Sequence, residues 1–248
     1  MSGLAGKVVV VTGASGAIGR AAVAELKRQE AVVVGADLRA ADDTGADHFV
    51  ACDLTVEEQV RDLYDGTAER FGRIDGLFNN AGVALGEDGS ALDVDRTVFD
   101  RTMVINVTSV LLCCKHGIPH LIAGGGGAVV NTASLVARMG SAVSQIGYTA
   151  SKGAVVAMSR ELGVELARRG VRVNSLSPGP VASPMLEALF SPDEVARRMV
   201  HIPAGRFGTA EEMARAAAFL LGDGSSFVTG IELVVDGGIS AAYVTPEG

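Results

Sequence analysis

The sequence predicts an α/β fold, a doubly wound parallel sheet of seven strands with helices on both faces. Three observations carry this expectation. Short apolar, β-branched runs alternate with longer helical patterns along the whole chain. The runs are apolar at almost every position, as strands covered on both faces are. The first run also leads through a glycine-rich turn directly into a helical pattern.

In chain order, the first strand is expected at 7–12, and the turn after it opens a helix at 17–29. Strands at 31–37 and 47–52 follow, then a helix at 56–71 and a strand at 76–79. A helix at 101–122 precedes Gly124–Gly127, a flexible turn before the strand at 128–132. The helix at 148–168, the strand at 172–177, the helix at 210–221 and the strand at 232–235 complete the set. No repeat, polar linker or low-complexity tract interrupts the pattern. It therefore reads as a single Rossmann-type domain over residues 1–248.

The 248 residues are 48% apolar and 20% charged, ample chain to bury a core. A net charge of −8 disfavours nucleic acid, because nothing would neutralise phosphates along a surface. No run reaches the roughly 18 uninterrupted apolar residues of a membrane span. The first residues lack a basic head before a long apolar run. No membrane contact and a cytoplasmic location are therefore expected. Cys52, Cys113 and Cys114 make an odd count, which fits free thiols in a reducing compartment.

Gly13, Gly16 and Gly19 lie between the first strand and the first helix, with Ser15, Ala17 and Ile18 in the same turn. Glycines there allow a tight turn and a close backbone approach to a pyrophosphate, which the helix N-terminus then attracts. Asp37 ends the second strand, where a carboxylate accepts hydrogen bonds from the ribose hydroxyls of NAD and repels the 2′-phosphate of NADP. No Lys or Arg lies inside the turn, and Arg39 reads as a solvated loop charge, so NAD is expected before NADP. Asp53, with Leu54 beside it, either meets the adenine or belongs to the cap of the helix near Val56.

Tyr148 and Lys152 share a helical face at i and i+4. A free tyrosine has a pKa of about 10, and lowering it by about 3 units needs roughly 4 kcal/mol. An ammonium about 4 Å away, at an effective dielectric near 20, supplies that order of magnitude. The tyrosine can then take a proton from an alcohol as hydride leaves, or return one to a carbonyl. Ser134 ends the fifth strand, at the edge where ligands bind, and its hydroxyl can hold the substrate oxygen or serve a turn.

Further pieces occur in a fixed order: Thr12-Gly13-Ala14-Ser15-Gly16-Ala17-Ile18-Gly19, Asn79-Asn80-Ala81-Gly82, Asn106, Ser134, Tyr148 with Lys152, Pro178-Gly179 and Asp236-Gly237-Gly238. On these the chain resembles the classical short-chain dehydrogenase/reductase family over nearly its whole length. The resemblance implies that Tyr148 is the acid/base, that Lys152 lowers its pKa and binds the nicotinamide ribose, and that Ser134 positions the substrate oxygen. It implies that Asn106 holds a water relaying protons from Lys152 to solvent. Asn80, Ala81 and Gly82 would line the adenosine side, and Pro178, Gly179 and Val181 would border the nicotinamide. The family's second glycine falls at Ala17, where this chain has Gly16 instead. Ser183 stands where the family often has a threonine for the nicotinamide amide. A homotetramer is implied in the same way.

Other clusters carry less. Cys113, His116 and His120 fall on one helical face beside Cys114, but Gly117 and Pro119 are expected to interrupt that helix and no fourth ligand follows, so no metal is expected. Glu87, Asp88, Asp93 and Asp95 read as a solvated loop. Residues 180–208 read as a long irregular segment carrying Met185, Leu186, Leu189, Phe190, Met199 and Val200, either a lid over the substrate or ordinary packing. Arg138, Ser141, Ser144 and Gln145 could line the pocket, with Arg138 either a surface charge or a contact for an anionic substrate. The tail 239–248 could cross to a neighbouring subunit. The leading expectation is an NAD-dependent oxidoreductase of a small, partly apolar secondary alcohol or ketone. The alternatives are an NADPH-dependent 3-oxoacyl reductase, which Asp37 opposes, and a nucleotide sensor without turnover, which has no need of Ser134, Tyr148 and Lys152 together.

Overall fold

Seven parallel strands form one sheet in the order β3-β2-β1-β4-β5-β6-β7 in the computed structural model, which describes residues 3–39, 44–182 and 192–243. They are β1 (Val8–Thr12), β2 (Val32–Asp37), β3 (His48–Ala51), β4 (Gly76–Asn79), β5 (Gly127–Thr132), β6 (Val171–Pro178) and β7 (Glu232–Val235). The chain steps outward from β1 to β3, then returns to lay β4 on the other side of β1. This reversal opens a crevice beyond the carboxyl ends of β1 and β4, the place where doubly wound sheets bind ligands.

Continuous apolar strands fill two cores at once because their side chains alternate between faces. Val10, Val34, Leu77, Val129 and Val173 face one core, with α2 (Glu57–Phe71), α4 (Ser109–Ala123) and α5 (Ile146–Glu165). Val9, Val11, Val33, Phe78, Val130 and Leu176 face the other, with α1 (Ala17–Arg28) and a helix at Ala210–Leu221. That last helix starts in a capping box: Glu212 N–H donates to Thr209 Oγ1 and Thr209 N–H donates back to Glu212.

Three expectations need correction. The helix expected at 101–122 begins earlier, as α3 (Arg96–Met103), passes through a π-helical turn at Val104–Thr108 and continues as α4 to Ala123. Pro119 lies inside α4 rather than ending it: a proline removes one backbone donor, and the packed face of Val110, Cys113, Cys114 and Leu121 holds the helix together. This stretch is long and apolar enough by hydropathy to cross a bilayer, yet that face is buried in the sheet core. Second, the segment read as irregular contains α6 (Pro192–Met199), whose proline at the first position and acidic first turn are helix-start signals. The helix at Ala210–Leu221 is therefore α7. Third, the acidic loop is not simply solvated. Asp95 caps α3 by accepting from Thr97 N–H at 2.7 Å, Glu87 pairs with Arg101 at 3.2 Å, and Asp88 reaches the start of α5. Residues 183–191 of the expected lid and 244–248 of the tail lie outside the described residues.

α5 lies against β6 and the turn before β7 at Gly163. A Cβ there would stand 2.6 Å from Gly230 N and 2.8 Å from the Val173 carbonyl oxygen, both backbone atoms that cannot step aside. Gly163→Ala is therefore expected to destabilise the protein by about 1–3 kcal/mol despite alanine's better helix propensity. Urea unfolding checks this, and a mutant as stable as the parent would show that the packing is looser than described.

Candidate active site

A cavity of about 940 Å³ opens at the carboxyl ends of β1, β2, β4, β5 and β6. Gly13, Gly16, Ala17 and Ile18 form one wall, with Asp37, Asp53 and Leu54 beyond them. Asn80, Ala81 and Gly82 line the floor, and Ser134, Tyr148, Lys152, Pro178, Gly179 and Val181 line the far end. Ser15, Gly19 and Asn106 do not line it but support residues that do. Ser183 lies outside the described residues.

The glycine turn is built by exclusion. Gly13 has φ 65°, and a Cβ on it would sit 2.9 Å from Ala81 Cα. A Cβ on Gly19 would collide with the Gly13 carbonyl, so α1 can pack against the turn only through glycine there. Gly16 is the N-cap of α1 and has no side chain to cap it, which leaves first-turn N–H groups without helical partners at the cavity wall. Ala17 is simply the first helical residue, so the displaced second glycine leaves the strand, turn and helix intact. Ser15 Oγ is buried with no hydrogen-bond partner among the described residues, an orphaned polar atom within the phosphate-type turn. Asp37 accepts from Ser15 N–H at 3.0 Å and from Leu38 N–H at 2.8 Å, which fixes the carboxylate at the rim with lone pairs to spare. Thr12 Oγ1 accepts from the Asn80 and Ala81 N–H groups at 3.0 and 3.2 Å and ties the end of β4 to the turn. These donors and this carboxylate fit a dinucleotide: amides for a pyrophosphate and an acceptor for a ribose diol. Asp53 lines the cavity and also accepts from Thr55 N–H at 2.9 Å, so its oxygen serves the turn before α2.

At the far end, β5 delivers Ser134 and α5 delivers Tyr148 and Lys152 one turn apart. Burial raises the Tyr148 phenol above the usual tyrosine value, and a hydrogen bond with Ser134 pulls it back. Lys152 is 4% exposed, its Nζ donates to the Thr132 carbonyl at 2.9 Å, and it lies 5.6 Å from the centre of the Tyr148 ring. Burial pushes its pKa down to about 8. In the chain alone, burial therefore outweighs the Ser134 hydrogen bond at Tyr148, and a phenolate there calls for positive charge nearby.

Asn106 sits in the π-helical turn, fully buried. Its Nδ2 donates to the Val83 carbonyl at 2.9 Å and Ser151 Oγ at 3.0 Å, and its Oδ1 accepts from Val83 N–H at 2.8 Å. Its side chain thus clamps the loop after β4 to α5. A Cβ on Gly82 would meet Lys152 Nζ and Asn106 Oδ1 at 3.1 and 3.2 Å, so the floor is glycine where these two groups converge. Sequence reasoning missed Thr132 and Ser151, which act through one carbonyl and one hydroxyl with no motif of their own. It also missed Val104 and Ile105, which line the cavity from the π turn. Arg138 does not line the cavity; it pairs at 2.6 Å with Glu232, which also accepts from Ser177 Oγ. The Cys and His cluster is split. Cys113 and Cys114 face the core, while His116 and His120 pair with Glu57 and Asp65 on α2.

The buried ammonium carries a stability cost with a definite pH window. Its folded pKa of about 8 lies below the ordinary 10.5, so the unfolded chain holds the proton more tightly between those values. The penalty is fully present below pH 8 and fades as pH rises toward 10.5. Lys152→Met is expected to gain on the order of 2–3 kcal/mol at pH 7, seen as a Tm increase that shrinks by pH 10. A mutant less stable than the parent at pH 7 would contradict this.

Comparison with known proteins identifies the family. Residues 13–240 match the family described as enoyl-(acyl carrier protein) reductase. The chain is 40% identical to a 2,5-dichloro-2,5-cyclohexadiene-1,4-diol dehydrogenase of Sphingobium indicum, covering 97% of this chain and all of that one. It is also 40% identical to a cis-4-hydroxycyclohexanecarboxylate dehydrogenase of Sinomonas cyclohexanicum, over 95% of this chain and 97% of that one. Among solved structures, a short-chain type dehydrogenase/reductase from Mycobacterium marinum superposes with a TM-score of 0.90 at 32% identity, over 97% and 98% of the two chains. Fold, cavity and relatives together place the chain in the short-chain dehydrogenase/reductase family, NAD(P)-linked oxidoreductases acting on alcohols and ketones.

Proposed function

We propose that the protein is an NAD-dependent dehydrogenase of a small, partly apolar secondary alcohol, with Tyr148 as general acid/base. The observation that carries this is the meeting of Ser134, Tyr148 and Lys152 in the cavity whose other end holds the glycine turn and Asp37. Asp37 supports NAD over NADP, since a carboxylate at the rim would accept from ribose hydroxyls and repel a 2′-phosphate. Val83, Ala84, Val104, Ile105 and Pro180 give the cavity apolar walls, which suits a hydrocarbon body. The two relatives at 40% identity are named for six-membered-ring alcohols, which supports a cyclic substrate.

The chemistry follows from the geometry. NAD, when bound, would supply the hydride acceptor and a positive charge. Ser134 holds the alcohol oxygen, and the Tyr148 phenolate takes its proton as the carbon–hydrogen bond breaks. Lys152, fixed by the Thr132 carbonyl, keeps an ammonium 5.6 Å from the centre of the Tyr148 ring and would be the residue to hold the nicotinamide ribose. Asn106 keeps the floor in place by holding Val83. In the reverse direction the phenol returns the proton to a carbonyl oxygen.

One experiment tests the reading. Cyclohexane-1,4-diol, cyclohexanol and 4-hydroxycyclohexanecarboxylate are incubated with NAD or NADP while absorbance of the reduced cofactor is followed. Turnover with NAD is expected, with weaker binding of NADPH than NADH by fluorescence titration. Tyr148→Phe is expected to lower kcat by at least about 100-fold, the usual range for losing a general acid/base. Unchanged turnover in that mutant would sink the mechanism, and tighter NADPH binding would reverse the cofactor assignment.

A further inference from the structure

The start of α5 is held from a distant part of the chain. Thr149 N–H donates to the Gln145 carbonyl, so Ile146, Gly147 and Tyr148 are the amides ahead of that helical bond. Gln145, at the N-cap position, offers no side-chain cap. All three amides are instead taken by two consecutive residues of the loop after β4. Ile146 N–H donates to the Gly89 carbonyl at 3.0 Å, Gly147 N–H to Asp88 Oδ1 at 3.0 Å and Tyr148 N–H to Asp88 Oδ2 at 2.7 Å. Gly147 admits the carboxylate because it has no side chain; a Cβ there would meet both Asp88 oxygens at 3.3 Å. Asp88 Oδ1 also accepts from Gly89 N–H at 3.0 Å, which fixes the carboxylate in its own loop.

The loop is anchored at its other end as well. Asn106 binds both the N–H and the carbonyl of Val83, and Arg101 pairs with the neighbouring Glu87. Residues 83–89 therefore form a strap tied to the π-helical turn at one end and to the first turn of α5 at the other. The reacting phenol hangs from that first turn, and terminal turns fray when their amides lack partners. A displacement of about 1 Å in a catalytic group can lower turnover by about 100-fold.

We propose that Asp88 is a positioning residue for Tyr148: its bidentate carboxylate fixes the first turn of α5 so that the phenol stays in register with Ser134 and Lys152. The inference rests on the proposed role of Tyr148, but its structural half stands apart from turnover. The chain has three tyrosines, Tyr64, Tyr148 and Tyr243, so fluorotyrosine labelling gives three resolvable fluorine signals, with Tyr148 assigned by Tyr148→Phe. In the full-length protein, Asp88→Ala is expected to broaden or split the Tyr148 signal while the signal of buried Tyr64 keeps its position. With NAD and cyclohexane-1,4-diol, Asp88→Ala is expected to lower kcat by about 10- to 100-fold while NADH binding changes by less than about twofold. Asp88→Asn keeps one acceptor but turns an NH2 group toward the other N–H, and is expected to fall between Asp88→Ala and the parent in both Tyr148 line width and kcat. A Tyr148 signal and kcat unchanged in Asp88→Ala, with only Tm reduced, would make Asp88 a helix cap and overturn the proposal. If Tyr148→Phe itself keeps full turnover, the functional reading fails, and the fluorine spectra still decide whether Asp88 holds the ring.

Discussion

A buried ammonium is the constraint around which this site is arranged. Lys152 is nearly sealed from solvent, and its described hydrogen bond is to a neutral carbonyl rather than a carboxylate. Such a charge is costly to hold, and its depressed pKa records the cost. The surroundings make sense as what keeps it there. Thr132 ends β5 with its carbonyl aimed at Nζ, Gly82 leaves the space that Nζ and Asn106 need, and α5 carries Lys152 and Tyr148 on one face. An apolar residue in that position would suit the fold better, so stability does not explain the charge, whereas the proposed chemistry at the phenol does.

The two halves of the cavity solve different problems with the same sheet edge. At β1 and β2 the backbone does the work: glycines clear space, a glycine at the N-cap adds no side-chain cap to the helix, and one carboxylate marks the rim. At β5 and α5 the side chains do the work, and the backbone supports them from below. The loop after β4 joins the halves, because Thr12 grips it at Asn80 and Ala81 while Asn106 grips it at Val83. A shift of this loop would move both the floor under the cofactor end and the start of the helix that carries the phenol.

The sheet was legible because seven short runs of valine, leucine, phenylalanine and small residues alternate with helical patterns, and the strands lie within one residue or so of where the pattern places them. Gly13, Gly19 and the Tyr148–Lys152 pair were legible because their spacing is local. Asp88 was not: its partners lie about sixty residues away, and in sequence it is one acid among four. Pro119 misled because proline's local penalty is read without the packing that offsets it. The π-helical turn at Asn106 leaves no mark on apolar periodicity, so Val104 and Ile105 were placed on a helix without any sign that they face the cavity.

In the proposed mechanism Tyr148 acts as a base whose pKa is lowered by Lys152 and by the oxidised cofactor when bound. Its most direct test is the pH dependence of kcat/KM for alcohol oxidation at saturating NAD. The rate is expected to rise with pH through an apparent pKa well below the value of about 10 of a free tyrosine. A rate that rises only near pH 10, or that shows no acid limb at all, would contradict it.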